Sequence, residues 1–264
     1  MEPKTTRINK FLSEAGYCSR READRMIEAG RLTINGQVAS IGAQVSAQDT
    51  ILVDGQVLSL KQSPFVYMAF NKPKGIECTT DQNIKDNIVD FIGYHERIFP
   101  IGRLDKSSSG LILMTNDGDI VNKILRAKNN HEKEYIVKVD QPISPDFIEK
   151  MSTGVPILET TTLPCHVKQV SEFDFAITLT QGMNRQIRRM CEYLEYQVLG
   201  LKRVRIMNVN LDIPVGQYRM LSEAEMAEIN KLISASSKTQ EASLENSRPK
   251  SFKKSSRNYN IRNR

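Results

Sequence analysis

The stretch RIFPIGRLDKSSSGLILMTNDGD, residues 97–119, decides how this chain is read. An apolar segment, IFPIGRL, runs up to Asp105, a polar KSSSG follows, and LILMTNDG then reads as a strand passing into a loop. Asp105 therefore lies on a connection between two elements, where Gly102 and Gly110 permit tight backbone turns. Loops carried by a scaffold are favoured places for reactive groups. Taken alone, an acid in a turn flanked by Arg103 and Lys106 is more often a surface ion pair.

Outward from this stretch, YMAFNKPKG, KEYIVKV and FAITLTQG read as further strands running into loops. In HEKEYIVKVD (131–140) the period of two puts Lys133, Tyr135, Val137 and Val139 on one face. A tyrosine there is by composition a core residue with its hydroxyl at the rim. QGMNRQIRRMCEYLEY (181–196) reads as a helix capped by Asn184, with Ile187, Met190, Cys191 and Leu194 on its apolar face and Arg185, Arg188 and Arg189 on its polar side. Three cations at a helix start are unfavourable unless carboxylates or phosphates neutralise them. Strands and helices thus alternate from residue 65 to 233, as expected of an α+β domain with a mixed, largely antiparallel sheet.

Residues 7–62 form a smaller unit, joined to the larger one through the polar LKQSP (60–64). Ile8, Phe11, Leu12 and Ala15 recur at helical spacing, and Gly16 supplies a stop. Ser19 and Glu22 are spaced as a capping box for a second helix that buries Ala23, Met26 and Ile27. Asn35-Gly36 and Asp54-Gly55 then mark two hairpin turns. Arg20 and Arg21 in the first turn of that second helix, with Arg25 one turn on, suit either an anionic ligand or a solvated face.

The chain carries 37 Lys and Arg against 31 Asp and Glu, a net charge of +6. Residues 236–264 hold eight basic residues and two acids, so the whole excess lies there and the rest balances at 29 of each. A nucleic-acid surface on the folded part must then be a local patch. The 236–264 segment is too poor in apolar residues to offset its ordering entropy and is expected to be a disordered basic tail adding salt-sensitive RNA affinity. Cys18, Cys78, Cys165 and Cys191 include no close-spaced pair, so reduced thiols and no metal are expected. No apolar run approaches the ~18 residues of a membrane span and the N-terminus lacks the apolar core of a secretory signal. A cytoplasmic monomer without membrane contact is the expectation.

These residues also carry a resemblance. RINKFLSEAGYCSRREADRMIEAGRLTINGQVA (7–39) resembles the RNA-binding domain named after small-subunit ribosomal protein four, the S4 domain. That resemblance implies docking of structured RNA through Lys10, Arg20, Arg21 and Arg25. Gly-Arg-Leu-Asp, then Lys-Glu-Tyr, then NRQIRRM, together with FNKPKG, NIVDF, KILRA and MSTGVPI, resemble in order the motifs of the pseudouridine synthases. The branch resembled is that of the bacterial small-subunit ribosomal enzyme, whose members also carry an S4 domain. Within it, GMNRQIRRMCEYLEY is most similar to a large-subunit enzyme, and Arg185 departs from an aromatic-histidine wording common elsewhere.

The resemblance implies that a uridine in structured RNA is isomerised to pseudouridine without a cofactor, with Asp105 as nucleophile, Arg188 as its basic partner and Tyr135 stacked on the uracil. It implies RNA contacts from Arg103, Leu104, Lys106, Arg126, Arg185, Gln186, Ile187, Arg189 and Lys72. The RNA expected is 23S ribosomal RNA or its assembly intermediates, with a tRNA anticodon-stem uridine as a second target. Two other readings compete. A non-catalytic S4-type ribosome-assembly protein has no need of Asp105, Tyr135 and Arg188 as a set, and a sugar hydrolase needs a second acid, for which only Asp117 and Asp119 are near in sequence.

Overall fold

The computed structural model describes residues 5–58, 64–125 and 131–234. Arg126, the end of the expected small unit (59–62) and the basic tail lie outside the described residues.

The N-terminal unit comprises β1 (Thr6–Arg7), α1 (Ile8–Glu14), α2 (Arg20–Glu28), β2 (Leu32–Ile34), β3 (Gln37–Val38), β4 (Gln44–Val45), β5 (Ile51–Val53) and β6 (Gln56–Val57). Asn35 and Asp54 take up positive φ ahead of their glycines, and each turn joins an antiparallel pair, β2–β3 and β5–β6. The alternate residues Leu32, Ile51 and Val53 meet Ile8, Leu12, Ala23, Met26 and Ile27 from the helices in one core. Ser19 Oγ accepts from the Glu22 backbone N–H as expected, but the Glu22 carboxylate turns to Arg25 at 3.1 Å, so only half of the capping box is seen.

The larger unit holds β7 (Tyr67–Lys72), α3 (Ile88–Ile92), β8 (Phe99–Ile101), β9 (Ser109–Thr115), α4 (Gly118–Leu125), β10 (Lys133–Val139), α5 (Pro145–Thr153), the small hairpin β11 (Pro156–Ile157) and β12 (Thr160–Thr161), β13 (His166–Gln169), β14 (Asp174–Leu179), α6 (Gln186–Tyr193), β15 (Val198–Ile206), β16 (Val209–Asn210), β17 (Tyr218–Met220) and α7 (Glu223–Ile233). One sheet of nine strands runs in the order β13-β14-β10-β15-β9-β7-β17, with β16 beside β15 and β8 beside β9. Every pairing in it is antiparallel except β15 with β9.

That exception divides the sheet into two halves with separate cores. On β9 the period of two sends Leu111 and Leu113 to the face covered by α4 and α7, and Ile112 and Met114 to the face carrying Phe70, Ile88 and Ile98. Cover on both faces is why LILM is an unbroken apolar run. In the other half, Val137, Phe175 and Leu201 pack on Phe147, Met151, Met190 and Cys191 of α5 and α6. The seam is only two pairs long, Lys202 with Ser109 and Arg203 with Gly110. Gly110 has φ +104°, and a Cβ there would collide with the backbone of Arg203, so this crossing demands glycine. The Asp105 loop enters the sheet at this seam.

Among the described residues no helix is long and apolar enough to cross a membrane.

Candidate active site

The loop between β8 and β9 is pinned to the loop after β7. The Leu104 backbone N–H donates to Cys78 Sγ at 3.3 Å, and the Gly75 N–H donates to the Lys106 carbonyl at 2.8 Å. Within the loop the Ser108 N–H donates to the Asp105 carbonyl at 2.9 Å, closing a turn that leaves the Asp105 side chain half-buried at the wall of a cleft. That cleft, of about 470 Å³, lies where the seam brings the two halves of the sheet together, and Leu104, Asp105, Ser108, Tyr135, Ile187 and Arg188 are among its walls.

Arg188 comes to Asp105 from α6 and is only 9% exposed. Its Nη2 donates to Ser108 Oγ and its Nη1 to the Val198 carbonyl, both at 3.2 Å. The remaining nitrogen, Nε, is buried, makes no hydrogen bond within the protein and faces Asp105 Oδ2 at 3.6 Å. Two anchored corners thus aim the guanidinium at the carboxylate at ion-pair range, beyond hydrogen-bond range, which leaves the oxygen's lone pairs free to react. The polar-side placement expected for Arg188 is corrected: the charge is buried because Asp105 and Ser108 of the β8–β9 loop and Val198 at the start of β15 compensate it.

Tyr135 on β10 is half-buried between the two cores, as its strand face predicts, and it lines the cleft. Its neighbour in register on β15 is Arg203, 4% exposed, whose guanidinium lies 5.9 Å from the ring centroid and whose Nε donates to the Leu111 carbonyl at 2.6 Å. Lys133, one step along the same face, is pushed down to about 8 by burial and then by the Arg203 charge. Neither Arg203 nor Ser108 stands out in the sequence. A conspicuous tyrosine in a paired strand is the one signal that directs attention to its cross-strand neighbour.

Other expected RNA contacts divide by exposure. Arg103 and Arg185 are exposed at the cleft, with Arg185 3.7 Å from Glu192. Lys106 is exposed and pairs with Asp86 at 3.0 Å, while Arg189 bonds back to Asn184. Leu104 and Ile187 are apolar wall. Two of the expected contacts are buried in the fold. Lys72 is fully buried and its ammonium donates to the Pro73 and Ile76 carbonyls at 2.9 and 2.7 Å, so it braces the loop after β7. Burial lowers its pKa, and the Cys78 and Asp105 charges act in the opposite direction. Gln186 is 5% exposed and folds back to accept from the Met183 N–H, so it shapes the start of α6. Asn184 does not cap that helix: the N-cap is Arg185, in the left-handed region at φ 50°.

In the N-terminal unit Arg20 and Arg21 are exposed, Arg25 pairs with Glu22, and Lys10 bonds to Glu14 at 3.2 Å and to Asp119 of α4 at 2.8 Å, tying the units together. Among the described residues Asp105 is the one carboxylate lining the cleft. Asp117 and Asp119 lie at the far end of β9, about 20 Å away at strand rise, and no two-acid hydrolase site is formed. No group of three or more His, Cys, Asp or Glu able to hold a metal occurs among the described residues.

Both units of the chain are similar to known families. A family model described as RNA pseudouridylate synthase matches residues 66–193, and one described as S4 domain matches residues 6–51. The dual-specificity RNA pseudouridine synthase RluF of Salmonella typhi is 56% identical over 235 residues, covering 88% of this chain and 81% of that protein. The ribosomal large subunit pseudouridine synthase B of Bacillus subtilis (strain 168) is 34% identical over 236 residues, 86% of this chain and 96% of its own. A crystal structure of a pseudouridylate synthase superposes with a TM-score of 0.62 at 29% identity, covering 86% of this chain and 99% of that one.

Proposed function

Because the chain belongs to the RNA pseudouridylate synthases that carry an S4 domain, and so isomerises uridine in RNA, we propose that Asp105 is its nucleophile, Arg188 the cation that holds it, and Tyr135 the platform for the uracil. The observation that carries this reading is the 3.6 Å approach of Arg188 Nε to Asp105 Oδ2 at the wall of a cleft shared with Tyr135.

The Asp105 carboxylate forms a transient covalent bond to the nucleoside and the bond from ribose carbon 1′ to base nitrogen 1 breaks. The uracil turns, carbon 1′ bonds to carbon 5, carbon 5 gives up its proton to the medium while nitrogen 1 takes one up, and the carboxylate leaves unchanged. Nothing is oxidised or reduced, and no cofactor enters the balance. The Tyr135 ring, backed by Arg203, stacks on the everted base and its hydroxyl takes part in removing the carbon 5 proton. Eversion costs a few kcal/mol, least where the uridine is already unpaired. Arg103 and Arg185 at the mouth, with Arg189 and Lys106 beside them, hold the flanking backbone. The names of the relatives, one dual-specificity and one ribosomal large-subunit, support a large-subunit ribosomal RNA, here taken as 23S, and a second RNA target, which we assign to a tRNA anticodon-stem uridine. The units at 7–62 and 65–233 divide the work into docking and chemistry, in a monomeric cytoplasmic enzyme.

Release of tritium from RNA labelled at carbon 5 of uridine tests the assignment. Asp105→Asn is expected to release none while still retaining RNA on a filter. Turnover by that variant would remove Asp105 from the nucleophile's role.

A further inference from the structure

A second cleft, of about 790 Å³, lies between the two units, with the end of α1 and the start of α2 on one side and β8 and α4 on the other. Two guanidiniums line it. Arg97, just before β8, is half-buried, lies 5.7 Å from the Phe99 ring centroid, and makes one long hydrogen bond, 3.5 Å to Ser13 Oγ across the boundary. Arg20, the first residue of α2, is exposed and sits beside Gly118 at the start of α4. Neither has a carboxylate within ion-pair range among the described residues. The acids at the rim are engaged elsewhere: Glu14 and Asp119 with Lys10, and Asp117 with the Tyr67 hydroxyl at 2.9 Å.

A half-buried guanidinium without a counter-ion is costly, and burial lowers the Arg97 pKa with only the Cys18 thiol acting against it. Arg20 is disfavoured further by the positive end of its own helix. One anion placed between them relieves both penalties. We propose that this cleft binds a backbone phosphate of the RNA, with Arg20 of the S4 domain and Arg97 of the synthase domain as its paired ligands. The RNA would then be held across both domains at once. A phosphate fits because guanidinium pairs with it in fork geometry; Asn122 also lines the cleft, and Glu14, the one acid lining it among the described residues, is neutralised by Lys10. This inference rests on the chain acting on RNA.

The experiment uses the full chain and a 23S ribosomal RNA transcript, with binding measured across a potassium chloride series. Arg20→Gln and Arg97→Gln are each expected to weaken binding roughly 5- to 10-fold and to lower the slope of log affinity against log salt by about one. Asn122→Glu, at an exposed position on the rim, is expected to weaken binding similarly without disturbing the fold. Wild-type affinity and slope in Asn122→Glu would overturn the proposal, as would a loss confined to Arg20→Gln with Arg97→Gln unaffected, since the S4 domain would then bind alone. The measurement reads binding and not turnover, so its failure leaves the assignment of Asp105, read by tritium release, standing.

Discussion

At the residue scale the site is one ion pair with one member locked. Arg188 spends Nη1 and Nη2 on Val198 and Ser108 and so has no freedom to swing from Asp105. Lysine at this position supplies the charge but not the fork that fixes its direction. Arg188→Ala is expected to lower tritium release at least ~100-fold while the RNA dissociation constant changes by no more than about 3-fold, because in the proposed role the side chain holds Asp105 and not the substrate. A loss carried mainly by affinity would make Arg188 an RNA contact. The identity of this pair was legible in the sequence through its motifs. The burial of Arg188 was not, because helical periodicity scores a charge as outward-facing, and the groups that close over it belong to β15 and the Asp105 loop. The burial of Lys72 was hidden for the same reason: a lysine at a strand end reads as exposed until its ammonium is seen bonded to two carbonyls.

At the element scale the seam between β9 and β15 matters most. It sets Tyr135, one strand beyond β15, at the right distance from the loop that opens β9. Only two residue pairs hold it, and Gly110 is in one of them. Gly110→Ala imposes both an unfavourable φ and a collision with the Arg203 backbone, so a loss of about 3 kcal/mol or more in urea unfolding is expected, together with loss of turnover. A variant as stable as the wild type would mean the seam can open without penalty. The strands, turns and helix faces were readable because each depends on spacing within a dozen residues. The start of α6 was not: Asn184 has the chemistry of a cap, but Gln186 satisfies the Met183 N–H and Arg185 takes the left-handed position.

At the scale of the whole molecule two charge systems are proposed to act on RNA. One is the interdomain cleft with Arg20 and Arg97, and the other is the excess of basic residues after Ser234. Since residues 236–264 carry the whole net charge of the chain, ending the protein at Ser234 is expected to weaken binding to a ribosomal RNA transcript roughly 10-fold at low salt and to flatten its salt dependence. An unchanged salt slope would show that the charges of this segment do not reach the RNA. The salt bridge from Lys10 to Asp119 belongs to this scale as well. Lys10 was expected at the RNA surface, and in the fold its charge is shared by two acids, one on each side of the domain boundary.

By itself the sequence determined the local elements, the division into a small and a large unit, the placing of Asp105 on a loop and the family to which its motifs belong. Each of these follows from side-chain pattern over short distances or from matched motif wording. Only the tertiary structure decided that Asp105 and Arg188, about eighty residues apart, face each other, that Arg203 backs Tyr135, and that Arg20 and Arg97 share a cleft. Those contacts depend on how distant strands close against one another, and closure is set by the packing of two cores and the absence of a side chain at Gly110, neither of which leaves a period in the chain.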